Sequence, residues 1–434
     1  MDTIPQVAQA MQQVLIHDAE QLGRESGFIR RQRKLTGAGF IQTLVFGFLG
    51  NAAATYGVLA RRAAWMGVHI SRQGLEQRFT RTAADFVQQV LARTVEQVIS
   101  GQPVAIPLLQ RFQGVYIRDS SVIALPPGLM ELWPGVGNSC GPTAALKLQI
   151  QLNFSTGQLH GPVLQSGRDQ DQASPFQRQT LPPGTLHIAD LGYFNLNRLA
   201  EDNRQGVHWL TRLKAGTAVY TLEGQPLDLV TWLESRAESQ LECAVLVGQR
   251  ARVPCRLLAV RVPQEVADQR RRRLREYARK KQVTPSASSL ALLNWTLLIT
   301  NVPEQNLSLS EGLILYRVRW QIELLFKLWK SYARLDEWVS QKPWRILCEL
   351  YAKLIGVVIM HWISLTSLWQ FPHRSLFQAA RAVQEHSASL ALALPVRDML
   401  VTTLNALQDC LQATCRLNRR AKHPRTFQLL LEPP

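Results

Sequence analysis

Hydrophobic positions along the chain follow two different periods. From residue 1 to about 105, apolar residues recur every three or four positions, the spacing of helices with one buried face. In Ser71–Ser100 they fall at Leu75, Phe79, Ala83, Phe86, Val90 and Leu91, behind Ser71 as a helix N-cap. The stretch TYGVLARRAAWMGVH before it predicts another helix, ending near Gly67. Helix, glycine turn and polar helix outline a helix-turn-helix, with Arg72, Gln73, Gln77 and Arg78 placed to face bases or phosphates. A plain helical bundle has the same outline.

After Pro103 the period shortens towards two. FQGVYIRDSSVIALP (Phe112–Pro126) predicts a strand ending in Asp119. Ala144–Gly167 predicts two strands around a Ser-Thr-Gly turn. In the first of them Leu146, Leu148, Ile150 and Leu152 alternate with Lys147, Gln149 and Gln151, so one buried face is expected. LHIADLGYF (Leu186–Phe194) predicts a short buried strand ending in Asp190. NLNRLAEDNRQ then predicts a helix, and VHWLTRLK (Val207–Lys214) a further strand. From about 217 to 306 the pattern is strand-like, in LECAVLVG, CRLLAVRVP and NWTLLITNVP. The very basic DQRRRRLREYARKKQ (Asp268–Gln282) interrupts it as helix or loop. Leu315–Lys330 reads as one helix, and the chain is helical again after about 346.

This order predicts an α/β fold: a ribonuclease-H-like catalytic core with a mostly β insertion, flanked by helical N- and C-terminal domains. The expected boundaries are 1–105 for a helical DNA-binding domain and 106–345 for the core, with its insertion at about 217–306. A helical C-terminal domain, a candidate for dimerisation, takes 346–434. The connection between the third and fourth strands is short for a full helix.

A chain of 434 residues exceeds one ordinary core, so two or three domains are expected. A hydrophobic content of 46% excludes a disordered chain. The net charge of +17 points to a polyanionic partner, and nucleic acid is the commonest large one. Arg30, Arg31, Arg33 and Lys34 add a phosphate-contacting candidate, or a solvated face. The six cysteines form no C-x-x-C pair and no zinc pattern, which fits a reduced, cytoplasmic compartment. MDTIPQVAQAMQQVL lacks the basic and apolar regions of a signal peptide. Leu354–Trp369 is apolar but short, and contains His361, so a buried helix is expected there and no membrane partner.

Candidate chemistry lies in three acids and one helix. Asp119 and Asp190 are expected at the ends of neighbouring strands, ~4.8 Å apart, where two carboxylates can share a metal ion. Alone, each has a bland alternative: Asp119 opening a turn, Asp190 capping the next segment. On a continuous helix Tyr316, Arg319, Glu323, Lys327 and Lys330 would share an arc of about 80°. That stripe is either a solvated Arg-Glu-Lys ladder or the wall of a cleft, because the other faces are apolar. Phosphoryl transfer would use it well. Carboxylates ligate divalent metal, while bases on the same helix hold phosphate.

The spacing Tyr316-x2-Arg319-x3-Glu323-x6-Lys330 resembles the signature of bacterial insertion-sequence DDE transposases, hairpin-forming cut-and-paste enzymes. YIRDSS, IADLGYFN and WLTRLK are similar to that family's two aspartate segments and the strand that follows. The resemblance implies a ribonuclease-H-like core with Asp119, Asp190 and Glu323 as catalytic metal ligands, using Mg²⁺, or Mn²⁺ in its place. It implies Tyr316, Arg319 and Lys330 on DNA and Trp295 stacked on a flipped base; Lys327, from the same stripe, is a further DNA-binding candidate. The implied partners are double-stranded DNA, as terminal inverted repeats and target, and a second copy in a homodimeric synaptic complex. A junction resolvase or other nuclease on the same core, or a non-catalytic DNA-binding repressor, remain open alternatives.

Overall fold

The computed structural model describes residues 3–31, 35–137 and 141–432. Arg33 and Lys34 of the basic run, and Cys140, lie outside the described residues. The N-terminal helices include α1 (Gly37–Gly50), α2 (Tyr56–Trp65), α3 (Arg72–Glu76) and α4 (Arg81–Glu96). Strands β1 (Val115–Leu125), β2 (Ala144–Asn153), β3 (Leu159–Ser166) and β4 (Leu186–Ala189) follow, then helix α5 (Leu196–Arg204) and strand β5 (His208–Arg212). Next come β6 (Val219–Tyr220), β7 (Gln240–Val247), β8 (Val253–Arg261), helix α6 (Gln264–Lys280) and β9 (Trp295–Thr300). Helices α7 (Leu309–Tyr316), α8 (Trp320–Tyr332) and α9 (Pro343–Leu365) lead into the C-terminal helices.

The chain gathers into two compact units. The first comprises Met1–Ala105, Asp119–Gln170 and Gln321–His423; the second comprises Ile106–Arg118, Asp171–Trp320 and Pro424–Pro434. The expected core, 106–345, therefore draws on both. Strand β1 is shared covalently: Val115–Arg118 belongs to the second unit and Asp119–Leu125 to the first.

In the first unit the strand order is β3-β2-β1. β2 and β3 pair antiparallel from Leu146↔Ser166 to Leu152↔Leu159. The turn between them uses Gly157 at φ +74°, where a Cβ would stand 2.4 Å from the Trp369 ring. All ten residues of β2 are buried. The expected exposed face, Lys147, Gln149 and Gln151, is therefore covered too, and the Lys147 ammonium donates to the Asp169 carbonyl.

The helix expected over Ser71–Ser100 is broken in two. Ser71 does cap α3, accepting from the Gly74 amide at 3.0 Å. A second cap, Thr80, then starts α4 by accepting from the Ala83 amide at 3.2 Å. Phe79, in the break, packs its ring against Phe40 and Tyr56. The Arg345 guanidinium stands 4.6 Å from the Phe79 ring centroid. Tertiary packing of one aromatic outweighs the helical period there. What the helix-turn-helix outline took for a recognition helix is the five-residue α3, and α4 buries an apolar face instead.

Helix α9 is long and apolar enough to cross a membrane, and it is wholly buried in the protein. It packs against α1 and α4. Its first turns carry a buried ladder: Arg345 Nη2 is 3.4 Å from Glu349 Oε2, and Lys353 Nζ is 2.8 Å from Glu349 Oε1. Further along, the buried His361 Nε2–H donates to the Gly157 carbonyl at 2.7 Å, and burial pushes the imidazole down to about 4. A folded-state pKa below the unfolded 6.5 favours folding while the ring is neutral in both states. That share of stability is expected to be lost as pH falls from about 6.5 to about 4. Denaturant titrations across this range should show a shallower decline in His361→Gln than in wild type.

In the second unit the order is β1-β4-β5-β9-β8-β7-β6. β1, β4 and β5 are parallel, with Val115↔Leu186 and Leu186↔His208 in register. β9 then pairs antiparallel with β5 on one side and β8 on the other. The strands of the 217–306 segment thus continue the sheet of β5, but the segment is not mostly β as expected, because its helices take up at least as many residues as its strands. Its basic interruption is a helix, α6.

Candidate active site

The structure corrects the expected position of Asp119. β1 continues to Leu125, so Asp119 lies inside the strand. What stops there is the pairing with β4: the last registered pair is Arg118↔Ala189, and each of these residues is followed in sequence by an aspartate. The bland alternatives weaken at the same point. Asp119 opens no turn, and its Oδ1 accepts from the Ser120 amide at 2.8 Å. Asp190 precedes a 3-10 turn, Leu191–Tyr193, without its side chain capping it.

The segment after β4 is built to hold that turn in place. Gly192 has no side chain because a Cβ there would stand 3.0 Å from Asp171 Oδ2. The side-chain amides of Gln177 and Gln172 donate to the Tyr193 and Phe194 carbonyls at 3.0 and 3.3 Å. This accounts for the Asp-x-Gly-Tyr-Phe pattern: a buried strand, an exit acid and a glycine that lets a loop clasp the turn.

Leu315–Lys330 is not one helix. α7 ends at Tyr316, Arg317–Arg319 form a 3-10 turn, and α8 starts at Trp320. A 3-10 turn advances faster around the axis than an α-helix, so the arc calculated for a continuous helix does not apply. The helix is also less buried than expected, with Trp320 58% and Leu324 39% exposed. The second unit brings together Asp190, Tyr316 and Arg319. Arg319 Nε is 3.9 Å from Asp190 Oδ1, with the carboxylate 42% and the guanidinium 12% exposed. Burial pushes the Tyr316 phenol up to about 12; Asp190 adds to the shift, and Arg319 and Arg212 oppose it. Tyr316 is therefore a neutral phenol beside one acid and two cations.

The first unit holds Asp119, Glu323, Lys327 and Lys330. Within it, Lys330 Nζ donates to the Val122 carbonyl at 3.4 Å, so the Lys330 side chain of α8 reaches β1 beyond Asp119. Lys327 is exposed, and Glu323 is half-buried. Arg72 is exposed at the start of α3. Arg78 lines a cleft of ≈ 630 Å³ with Arg30, Arg31, Gln77 and Thr80.

Trp295 does not present its ring. It is 5% exposed and packs with Leu233 and Ala259, and the Arg261 guanidinium lies 4.7 Å from its ring centroid. It contributes to the wall of a ≈ 690 Å³ cleft also lined by Arg212, Lys214, Tyr220 and Ser289. Sequence reasoning passed over Arg212, although WLTRLK contains it, and Trp320, whose exposure no period predicts.

Among the described residues no three His, Cys, Asp or Glu side chains are grouped closely enough to hold a metal ion. The three predicted acids are all hard oxygen donors of the type Mg²⁺ takes. Two belong to one unit and one to the other.

The comparisons with known proteins point the same way. The family model described as Transposase DDE domain matches residues 110–359, more than half of the chain. The transposase for insertion sequence element IS231F of Bacillus thuringiensis subsp. israelensis is 26% identical over 445 residues, covering 95% of this chain and 91% of the relative. The transposase for IS1151 of Clostridium perfringens is 24% identical over 383 residues, covering 81% and 79%. Mixed α/β architecture, a family match over more than half of the chain and relatives aligned over most of its length agree: this protein belongs to the DDE transposases of bacterial insertion sequences.

Proposed function

We propose that this transposase binds the terminal inverted repeats of its element as a homodimer, frees the element through a DNA hairpin and joins it to target DNA. The observation that carries this is the β1–β4 register, which ends at Arg118↔Ala189 with an aspartate next on each strand. Glu323 is the third acid. Seven residues of helix and three of strand each cover about 10 Å. The contact of Lys330 with Val122 supports this assignment, since Glu323 and Asp119 precede those two residues by similar lengths. The strand order, antiparallel β3-β2-β1 followed by parallel β4 and β5, supports a ribonuclease-H-like core.

In this reading Asp119, Asp190 and Glu323 hold Mg²⁺, or Mn²⁺ in its place. When bound, the metal lowers the pKa of water and neutralises charge on the phosphodiester. Arg319 offers two parallel donors to a phosphate, and the neutral Tyr316 hydroxyl can donate to the same group without repelling it. Lys327 and Lys330 extend the grip along the backbone as point charges. Arg72 and Arg78 contact DNA from the N-terminal helices.

A linear duplex carrying one element end tests this. Incubated with Mg²⁺, it should yield a hairpin on a denaturing gel and, with both ends and a target, strand-transfer products. Cleavage of branched junctions without strand transfer would favour a resolvase instead.

Base stacking falls to the exposed Trp320 rather than to the packed Trp295. Stacking of a base on an aromatic ring is worth about 1–3 kcal/mol, roughly a 5- to 150-fold effect. Trp320→Ala is expected to lower hairpin yield within that range and leave the melting temperature unchanged. An unaltered hairpin yield would remove Trp320 from the mechanism.

A further inference from the structure

Helix α6 carries cations that the transposition site does not use. Its inward face buries Ala267 and Ala278. Two of its arginines also point inward and fasten it to the sheet. Arg270 Nη1 donates to the Trp295 carbonyl, and its Nη2 to Thr296 Oγ1, both at 3.0 Å. Arg271 Nη2 donates to Asn294 Oδ1, and Arg271 Nη1 lies 2.7 Å from Asp268 Oδ1.

The other five, Arg272, Arg273, Arg275, Arg279 and Lys280, are all exposed. At 100° per residue they occupy the opposite side of the helix, over about 12 Å of its length. Each of the five lacks an acidic partner within ion-pair distance among the described residues. Tyr277 borders this face, 60% exposed. One exposed acid, Glu276, shares this face at i,i+4 from Arg272 and Lys280, so five cations stand against one carboxylate. Arg279 and Lys280 lie in the last turn, where the macrodipole favours cations, but Arg272, Arg273 and Arg275 lie before it and gain little from it. This helix therefore presents a net excess of positive charge on a pinned scaffold.

We propose that the outer face of α6 binds the phosphate backbone of duplex DNA without reading its sequence. The proposal rests on the transposase function above and adds a second grip on DNA away from the acids. Duplex DNA presents about one charge per 1.7 Å of axis, so 12 Å of helix meets enough phosphates to engage several of the five cations. Guanidinium groups suit phosphate oxygens, and the Tyr277 ring can pack against the sugar edge.

The test is fluorescence anisotropy of the full chain on two labelled duplexes, one carrying the element end and one unrelated, across a salt series. The variant Arg272→Gln, Arg273→Gln, Arg275→Gln, Arg279→Gln, Lys280→Gln leaves Ala267, Ala278, Arg270 and Arg271 in place. It is expected to bind at least ~10-fold more weakly near 0.1 M salt. Its slope of log affinity against log salt should flatten by roughly 2–4 units, at ~0.9 per lost phosphate contact. A companion with Lys at the four arginines should keep the wild-type slope, which separates charge from folding. Weakening on both duplexes assigns the face to DNA in general, including target; weakening on the end duplex alone assigns it to the element's own DNA. A five-fold variant whose slope stays within about one unit of wild type overturns the inference while leaving cleavage at the acids intact. A wild-type protein that binds neither duplex would instead overturn the proposed function.

Discussion

Asp119→Asn, Asp190→Asn and Glu323→Gln are each expected to reduce Mg²⁺-dependent end cleavage by about 10³-fold or more. A metal-neutralised phosphodiester gains several kcal/mol in the transition state, and ~4 kcal/mol corresponds to that factor. Each substitution keeps the shape of the side chain and removes its charge, so binding of end DNA should change far less than cleavage. The three losses should also not add, because the acids are proposed to act as one unit. Gel assays of single-turnover cleavage, paired with anisotropy on the same duplex, measure both quantities. Asp190→Asn carries an extra signature. Asp190 helps raise the Tyr316 phenol and faces Arg319 across 3.9 Å. Its replacement should therefore lower the Tyr316 pKa, visible as tyrosinate absorbance at a lower pH. Cleavage at wild-type rate in any one of the three variants would remove that acid from the site.

Glu349→Ala is expected to destabilise the protein by about 3–5 kcal/mol, the usual cost of leaving a buried charge unpaired. Arg345, Glu349 and Lys353 are each 2% exposed or less. Without Glu349, two cations stay buried in α9. Their neutral partners remain: Arg345 Nη2 donates to the Ala54 carbonyl at 2.9 Å, and Lys353 Nζ donates to the Arg334 and Glu337 carbonyls at 3.0 and 3.1 Å. Carbonyls and rings solvate a cation but do not neutralise it. Burial already holds both cations below their ordinary pKa, with Glu349 opposing the shift. Exchanging all three for Met, Leu and Met should recover most of the loss, since a buried ion triad is often no more stable than apolar residues of similar volume. Urea unfolding midpoints separate the cases. A loss below 1 kcal/mol in Glu349→Ala would mean that the neutral partners or entering water compensate the two cations, and that the carboxylate is not what stabilises the ladder.

The Arg345 side chain also explains why local periodicity misread the N-terminal helices. Its guanidinium lies about 5 Å from the rings of Phe48, Tyr56 and Phe79, three residues brought together from separate stretches of sequence. Phe79 had to leave the helical path to reach that cluster. No window of neighbouring residues contains the information, because the partner is more than 260 positions away. The same holds for β2. Its alternation correctly marked a strand, yet the polar residues meant for solvent were covered by tertiary packing.

What the sequence by itself determined is the set of local periods and the chemical types at fixed spacing. The strands around Asp119 and Asp190, the Gly157 turn, the Ser71 cap and the strands β7, β8 and β9 were all legible, because each depends on residues within a few positions of one another. The family motif was legible for the same reason: Tyr316, Arg319, Glu323 and Lys330 are close in sequence. Only the tertiary structure decided that β1 runs past Asp119, that the helix bearing the motif breaks at Arg317–Arg319, and that Trp295 is packed while Trp320 is exposed. Those outcomes turn on which strand pairs with which and on which face is covered, and such contacts join residues far apart along the chain. A side chain's type is written in the sequence; its exposure is a property of everything packed around it.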